Sequence, residues 1–248
     1  MDLKKIKPQF IKKPNPRIGL IALASDFMIE KDFLNIIKDK NIDFFVNRIK
    51  CYNPLTSENL IKMSEEVTDV TSDILPDEKI DCVVYGCTSG TIAAGHDSIE
   101  KKIKLAKPEA KVTTPSTAAI TALKKLNIKK ISIFTPYPKK LNNEVVDFFK
   151  NEKFEITSNS YFDIESDIDI GKVDPDYLYD VLINMDHKDA DALFVSCTAL
   201  PVLSIIDKLE KKINKFVLSS NQALIWDTLE KIGKNNSING FGKLFSSN

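Results

Sequence analysis

The amino-acid sequence predicts an α/β protein built from two similar domains, each with a parallel sheet. Strand-like apolar runs alternate with helix-like segments along the chain, and such alternation gives right-handed βαβ units. Two stretches are also alike: Ile80–Ser89 and Ala190–Ala199 each hold an Asp, a short apolar run, a small residue and then Cys-Thr. Apolar runs that end in small and hydroxyl residues are typical of buried parallel strands that lead into loops.

The first half of the chain predicts three strands with helices between them. A continuous apolar run behind Pro14 and Pro16 indicates the first buried strand. Thr56 or Ser57 caps a helix in which apolar residues recur at helical spacing as far as Ile74. The predicted strands are 17–24, 44–49 and 82–85, and the predicted helices are 29–39, 57–74, a short one from Gly90, and 117–126.

The second half starts the pattern again. Asp174 caps a helix that has Pro175 at its first position. The predicted strands are 130–135, 154–161, 193–195 and 216–218, and the predicted helices are 140–150, one from 175, 202–211 and 222–232.

The spacing of equivalent residues indicates an internal duplication. Cys87 and Cys197 are 110 positions apart, as are Phe44 and Phe154, which each open the second strand of their half. A period this long predicts two copies of one domain. We therefore expect two Rossmann-like domains related by pseudo-twofold symmetry, with the active site in the cleft at the carboxyl ends of their strands. The predicted boundaries are 1–116 for the first domain, completed by 219–248, and 117–218 for the second.

The composition excludes several classes of partner. The 248 residues suffice for a sizeable core, and 35 basic residues balance 35 acidic ones, so nothing favours nucleic acid or an anionic membrane. No apolar stretch approaches the roughly 20 residues needed to cross a bilayer. The Lys-rich start lacks the apolar block of a signal peptide. We expect a cytoplasmic protein without nucleic-acid or membrane partners, whose assembly into a homo-oligomer is left open.

The sequence also argues against a metal or a disulfide framework. The four cysteines form no Cys-x-x-Cys pair, and the chain has only two histidines. We expect neither a metal nor a cofactor. Arg17 and Arg48 are the only arginines, so a carboxylate must be gripped by backbone N–H groups, hydroxyls or lysine.

Cys87 is the first candidate for chemistry. Three of the eight glycines, Gly86, Gly90 and Gly95, fall within ten positions around it. A loop of small residues that enters a helix presents free N–H groups and should lower the pKa of Cys87. The alternative is a buried, inert thiol in a tight turn, which would be the better interpretation if the Cys-Thr pair did not occur again at Cys197.

The other cysteines differ in context. Cys197 is followed by Pro201, which is typical of the first turn of a helix. Cys82 lies inside a strand and is expected in the core. Cys51 follows a strand and is expected to be structural or merely exposed.

Several polar residues fall where strands end. Ser25 and Asp26 end the first strand, and Tyr137 ends the equivalent strand of the second half. Each has a structural alternative, since Asp26 can cap the next helix and Tyr137 can simply pack. Thr114 and Ser116 flank Pro115 and can donate to a carboxylate or cap a helix.

These residues together resemble a known superfamily. Cys87-Thr88-Ser89, Cys197-Thr198, Thr135-Pro136-Tyr137 and the repeat are similar to the aspartate/glutamate racemase superfamily, and most similar to its maleate isomerase and arylmalonate decarboxylase branch. The stretch Leu20–Asp26, followed by Glu30–Phe33, resembles the ectoine-utilisation protein A subgroup of that branch.

The resemblance implies an active site between two similar domains and a small carboxylate as substrate. Cys87 would be the nucleophile that adds to an alkene carbon, and Cys197 the partner acid and base that assists release after rotation about a single bond. Tyr137 would contact the substrate. The N–H groups around Thr88, Ser89 and Thr198 would hold carboxylates, and Ser25, Asp26, Thr114 and Ser116 complete the candidate substrate-binding residues.

The chain also departs from its relatives. The isomerases have Asn where this chain has Asp26, and another Asn near Asp167. An ionised Asp beside a dicarboxylate is repulsive unless it is protonated or paired, which puts maleate itself in doubt. Thr88-Ser89 replaces the Asn-Thr that follows the first cysteine of amino-acid racemases, and this counts against an aspartate or glutamate racemase.

Three functions follow, in order of preference. The first is a cofactor-independent isomerase or racemase of a small carboxylate, because removal and return of a proton on opposite faces need a base and an acid on opposite sides. The second is a decarboxylase of an arylmalonate-like acid, although the decarboxylases carry only one of the two cysteines. The third is a non-catalytic, two-lobed binding protein, which would leave no reason for cysteine in both loops.

Overall fold

The computed structural model describes residues 3–11, 14–235 and 237–246, so part of the Lys-rich start lies outside the described residues. Within these ranges the strands are β1 (Arg17–Leu23), β2 (Asp43–Ile49), β3 (Cys82–Gly86), β4 (Lys111–Thr113), β5 (Lys130–Thr135), β6 (Glu155–Tyr161), β7 (Ala192–Val195) and β8 (Phe216–Ser219). The helices are α1 (Ile29–Ile37), α2 (Ser57–Ser64), α3 (Val67–Ser72), α4 (Thr88–Ala94), α5 (His96–Ala106), α6 (Pro115–Lys125), α7 (Lys139–Asn151), α8 (Asp167–Ile170), α9 (Pro175–Ile183), α10 (Ile206–Ile213) and α11 (Ser220–Lys231).

The strands form two four-stranded parallel sheets of the same topology. The order is β2-β1-β3-β4 in the first sheet and β6-β5-β7-β8 in the second. In the first sheet Leu20 lies between Val46 and Val84. In the second sheet Ile133 lies between Asn159 and Phe194. The repeated strand order confirms the predicted α/β fold of two similar domains.

The inner strands place the candidate residues at one edge of each sheet. β3 and β7 are buried along their whole length, as expected for apolar strands covered on both faces. Cys87 directly follows β3, and Cys197 lies two residues beyond β7. Since β3 and β7 hold the same position in their sheets, the two cysteines leave equivalent strand ends.

The last long helix returns to the first domain. α11 begins directly after β8 of the second sheet, yet it packs against β3 and β4 of the first sheet. It also packs against α6, most of which the predicted boundary at 116 assigns to the second domain. The buried Asp227 of α11 accepts a hydrogen bond from the Thr113 hydroxyl of β4. These contacts support a first domain completed by the C-terminal residues, and we retain 1–116 with 219–248, and 117–218, as the proposed domain boundaries.

Local structure differs from the prediction in the first half. The single helix predicted for 57–74 is two helices, α2 and α3, which are separated at Glu65 and Glu66. α5 was not predicted, because only Ile99 and Ile103 of its eleven residues are buried and the rest reads as charged surface. No helix among the described residues is long and apolar enough to span a bilayer.

Candidate active site

The loops that follow β3 and β7 meet in the cleft between the domains. The Thr198 hydroxyl donates a hydrogen bond to the carbonyl oxygen of Gly86 at 3.2 Å. Thr198 and Gly86 are the direct neighbours of Cys197 and Cys87 in the chain. One hydrogen bond therefore joins the two cysteine loops across the domain boundary.

Ser220 gives the two loops a second connection. Its buried hydroxyl oxygen accepts from the Thr88 hydroxyl at 2.9 Å and from the backbone N–H of Cys197 at 3.0 Å. Ser220 is the first residue of α11. The start of this helix thus holds both loops in one arrangement.

Cys87 caps the first turn of α4. Its Sγ accepts from the N–H of Gly90 at 3.2 Å and lies 3.9 Å from the Ser89 hydroxyl. A Cβ at position 90 would come within 2.8 Å of this Sγ and 2.9 Å of the Tyr85 hydroxyl. Gly90 is therefore required by the close approach of α4 to the thiol.

The expected low pKa of Cys87 is wrong for this closed site. The Gly90 N–H does lower the pKa of the thiol, as the sequence suggested. Burial is the larger effect, and the Cys51 thiol and the Asp167 carboxylate add to it, so the pKa of Cys87 is raised. The raised pKa favours the protonated thiol in this buried position.

Cys197 has a strained backbone. Its φ is +95°, which a residue with a side chain rarely adopts. Such conformations cost about 1–3 kcal/mol and concentrate at functional sites. Burial, followed by the charge of Asp167, also raises the pKa of this thiol. The bond from its N–H to Ser220 helps to hold the strained turn.

Tyr137 lies beside both thiols. It is 2% exposed, and the Ser196 hydroxyl donates to its hydroxyl at 3.5 Å. Burial raises the pKa of Tyr137, and the charges of Cys197 and Cys87 raise it further. Ser196 directly precedes Cys197, and Thr198 bonds to Gly86 next to Cys87, so Cys87, Cys197 and Tyr137 are brought together.

Carboxyl groups line the same compartment. Asp26 is fully buried, and its Oδ1 accepts from the N–H groups of Met28 at 2.7 Å and Ile29 at 3.0 Å. The Ser25 hydroxyl donates to Oδ2 of Asp167 at 2.6 Å. Burial raises the pKa of Asp26, and it raises the pKa of Asp167 to about 6. Ser25 and Asp26 therefore lie where the sequence placed them, beside an acid from the other domain.

Cys51, which the sequence predicts to be structural or merely exposed, lies beside these carboxyl groups. It is half-buried, and its pKa is raised to about 11 by burial and by the charges of Asp167 and Asp26, while the Ser25 hydroxyl opposes the rise. Cys51 follows β2, which lies next to β1 in the sheet. Because neighbouring parallel strands end at the same edge, this position indicates that Cys51 lies near Ser25 and Asp26, which follow β1. Cys82, in contrast, is fully buried within β3 as predicted.

Two further contacts join loops of the two domains. The N–H of Leu55 donates to the carbonyl of Glu165 at 2.9 Å, and the ring of Phe27 packs against Gly171 so closely that a Cβ there would lie 2.7 Å from it. Cys87 and Cys197 are each 4% exposed. A surface cavity of ≈ 660 Å³, lined by residues between 72 and 80 and between 106 and 110, lies at the opposite ends of the strands.

The two remaining candidates, Thr114 and Ser116, differ in their hydrogen bonds. The Thr114 hydroxyl pairs with that of Thr117 at 2.7 Å, whereas the buried Ser116 hydroxyl has no partner among the described residues. No hydrogen bond in the described part of the chain joins either residue to a cysteine. Contact of Thr114 or Ser116 with a substrate remains a prediction.

The fold and the site define a class of protein: a two-domain α/β enzyme with one buried cysteine from each domain at a shared cleft. A family model described as arylmalonate decarboxylase matches residues 56–245, and the chain belongs to this family. The resemblance predicted from the cysteine motifs is thereby confirmed. No comparison tests the similarity to the ectoine-utilisation protein A subgroup, which remains a prediction.

Similar proteins include maleate isomerases along nearly their whole length. The maleate isomerase of Geobacillus stearothermophilus is 26% identical over 93% of this chain and 97% of its own. The arylmalonate decarboxylase of Bordetella bronchiseptica is 27% identical over 54% of this chain and 57% of its own. The solved structure of a Pseudomonas putida maleate isomerase has a TM-score of 0.87 at 23% identity and covers 94% of this chain and 98% of that protein.

Proposed function

We propose that this protein is a cofactor-independent isomerase of a small unsaturated carboxylate, with maleate-type cis–trans isomerisation as its reaction. The observation that carries the proposal is the hydrogen bond from the Thr198 hydroxyl to the carbonyl oxygen of Gly86, which joins the loops of Cys87 and Cys197. Relatives named maleate isomerase match more than nine-tenths of the chain, and the predicted maleate isomerase-like function is thus supported at the level of the family.

The reaction begins with the thiolate form of Cys87, whose formation is opposed by burial and assisted by the Gly90 N–H. The thiolate adds to one alkene carbon and forms a C–S bond. The alkene electrons move to the neighbouring carbon, which takes the proton of Cys197. The resulting C–C single bond rotates. Cys197 then removes the same proton, the C–S bond breaks, and the trans alkene leaves with Cys87 again a thiolate.

The surroundings suit this sequence of steps. The 4% exposure of both thiols excludes water from the adduct. The hydrogen bonds of Ser220 to Thr88 and to the Cys197 N–H fix the relative position of the two loops. Such positioning of the reacting groups supplies a large part of the rate enhancement of many enzymes. One structure of a Nocardia farcinica maleate isomerase mutant, at 19% identity, is described with a covalently bound succinylcysteine intermediate.

Decarboxylation of an arylmalonate-like acid is the second candidate. The family model that matches the chain is described by this activity. In this reaction one thiol would suffice, since it would only return a proton to the carbanion left by loss of CO₂.

Single serine substitutions distinguish the candidates. Cys87→Ser and Cys197→Ser should each reduce conversion of maleate to fumarate by about 100-fold or more, followed by proton NMR in D₂O. Cys82→Ser is the matched control, because Cys82 lies in β3 below the same loop and has no part in the site; it should retain activity. Circular dichroism checks folding.

Each outcome decides a hypothesis. Loss of activity in only one of the two variants, together with release of CO₂ from phenylmalonate by the parent protein, would favour the decarboxylase. Full activity in both variants would refute chemistry by these thiols. This test does not address the cytoplasmic location or the possible homo-oligomer, which remain predictions from the sequence.

A further inference from the structure

The substrate compartment holds two buried carboxyl groups that the proposed reaction does not use. Asp26 is fully buried and Asp167 is 4% exposed. Asp167 raises the pKa of both reactive thiols, and Asp26 raises that of Cys197. The hydroxyl of Ser25, the neighbour of Asp26, donates to Asp167 at 2.6 Å, so the two carboxyl groups, one from each domain, lie on the same side of the cleft.

Asp26 has an acceptor that lacks a donor. Its Oδ1 accepts two backbone N–H groups, but its Oδ2 is buried and has no hydrogen-bond partner among the described residues. The Thr198 hydroxyl lies close enough to lower the pKa of Asp26, yet it donates to the Gly86 carbonyl. A buried acceptor without a donor is costly, so a ligand with an N–H group would satisfy it.

The protein supplies little countercharge. Arg48 is the cation that acts on Asp26, but its guanidinium donates to the carbonyls of Leu23 and Asp26 and pairs with Glu30. Lys31 lies over the ring of Phe27, with 5.2 Å from Nζ to the ring centroid. In the described part of the chain, no Lys or Arg side chain donates to the carboxylate of Asp26 or Asp167. A dicarboxylate would meet these two acids without a compensating cation.

We propose that the substrate carries a cationic nitrogen in addition to its reactive carboxylate, and that Asp26 and Asp167 bind this nitrogen. The inference rests on the proposed function and specifies its substrate class. An ammonium or amidinium group would donate to Oδ2 of Asp26 and pair with Asp167. Its charge would replace the cation that the protein lacks. The unsaturated carboxylate end would remain at the thiols.

Two probes of equal length test which charge the site prefers at the end of the substrate opposite its reactive carboxylate. Maleate and cis-4-aminobut-2-enoate both have a cis alkene next to a carboxylate, and they differ in a second carboxylate against an aminomethyl cation. The parent protein at about pH 8 should isomerise the amino acid with a kcat/KM at least about tenfold above that for maleate. Proton NMR follows both reactions.

The variants Asp26→Asn and Asp167→Asn test the two residues. In each, the amide oxygen can still accept the hydrogen bonds that the structure shows. Each variant should shift the ratio of the two kcat/KM values toward maleate by about tenfold or more. Asp227→Asn is the matched control, since Asp227 is equally buried but bonds to Thr113 and Lys231 away from the site; its ratio should stay that of the parent.

The proposal is overturned if the parent protein prefers maleate, or if neither Asp variant changes the ratio. It is also overturned if maleate binding strengthens strongly below pH 6, since protonated acids would then be the binding groups. If neither probe is isomerised, the proposed isomerase function is refuted, but the proposed charge preference is not yet tested. Calorimetric binding of both probes to Cys87→Ser then still decides the charge preference.

Discussion

The Thr88 hydroxyl donates to the Ser220 hydroxyl at 2.9 Å, and so the loop of the nucleophile candidate is bonded to the start of the last long helix. The same Ser220 oxygen accepts the N–H of Cys197. One oxygen atom therefore bridges two loops that follow strands of different sheets.

Substitution of Ser220 by alanine should harm both stability and activity. It leaves the Thr88 hydroxyl and the Cys197 N–H without their acceptor, which should lower the free energy of unfolding by about 1–3 kcal/mol and kcat by about tenfold or more. Urea denaturation and steady-state kinetics measure the two effects. The control is Ser219→Ala, which removes only the hydrogen bond from the Gln222 N–H to the capping hydroxyl. It should lower the free energy of unfolding by about 1 kcal/mol and leave kcat little changed. Equal kcat in both variants would contradict the role assigned to Ser220.

Substitution of Gly90 by alanine should displace the Cys87 thiol. A Cβ there would lie 2.8 Å from Sγ, so the thiol or the helix must move, and a shift near 1 Å can reduce the rate by about 100-fold. Gly19→Ala is the control, because its Cβ meets only Ile74 and Ile80 in the core. Activity of Gly90→Ala at the level of this control would argue against the geometry described for α4.

Replacement of Tyr137 by phenylalanine should reduce kcat by about 10- to 100-fold. The ring would still fill its buried place, but the hydroxyl beside both thiols would be lost. The Tyr179→Phe variant provides the comparison. The ring of Tyr179, on α9, packs under Lys208 of α10. Unchanged kcat in Tyr137→Phe would make this tyrosine a packing residue.

Asp32 should make stability fall as pH rises. Burial raises its pKa from 3.8 to about 7, the Asn221 amide lowers it, and the charges of Asp26 and Lys31 act in opposite directions. The folded state therefore binds the proton more tightly, and this contribution is present below pH 4 and is lost as pH rises through 7. From pH 5 to pH 8, Asp32→Asn should gain about 2 kcal/mol relative to the parent protein. Urea denaturation at both pH values measures this gain, and a constant difference would exclude the raised pKa.

Cys51 should react slowly with iodoacetamide in the folded protein. A pKa near 11 instead of 9.0 leaves about a hundredfold less thiolate at neutral pH. Peptide mass spectrometry should show slow labelling at pH 7 that accelerates up to about pH 11, whereas Cys82, fully buried with a pKa near 12, should label only after unfolding. Rapid labelling of Cys51 at pH 7 would contradict the raised pKa.

The duplicated pattern made most of the fold predictable. The apolar runs before Cys87 and Cys197 identify equivalent buried strands, and parallel strands of this kind end at one edge of their sheet. Cys51 and Asp167 were harder to place. Cys51 stands in a loop and Asp167 begins the short helix α8; neither belongs to a repeated motif, and both reach the site only through the packing of the two domains. The predicted low pKa of Cys87 was wrong because a sequence shows the helix that follows a thiol but not the tertiary packing that buries the thiol.

The return of α11 to the first domain affects the order in which the chain can fold. β4 and α6 pack against β3 and α4, but their contacts with α11, such as that of Asp227 with Thr113, come only from residues near the end of the chain. The strands of the second sheet are all present once residue 219 has been synthesised. On the ribosome, the first sheet can therefore receive α11 only after every strand of the second sheet has been made.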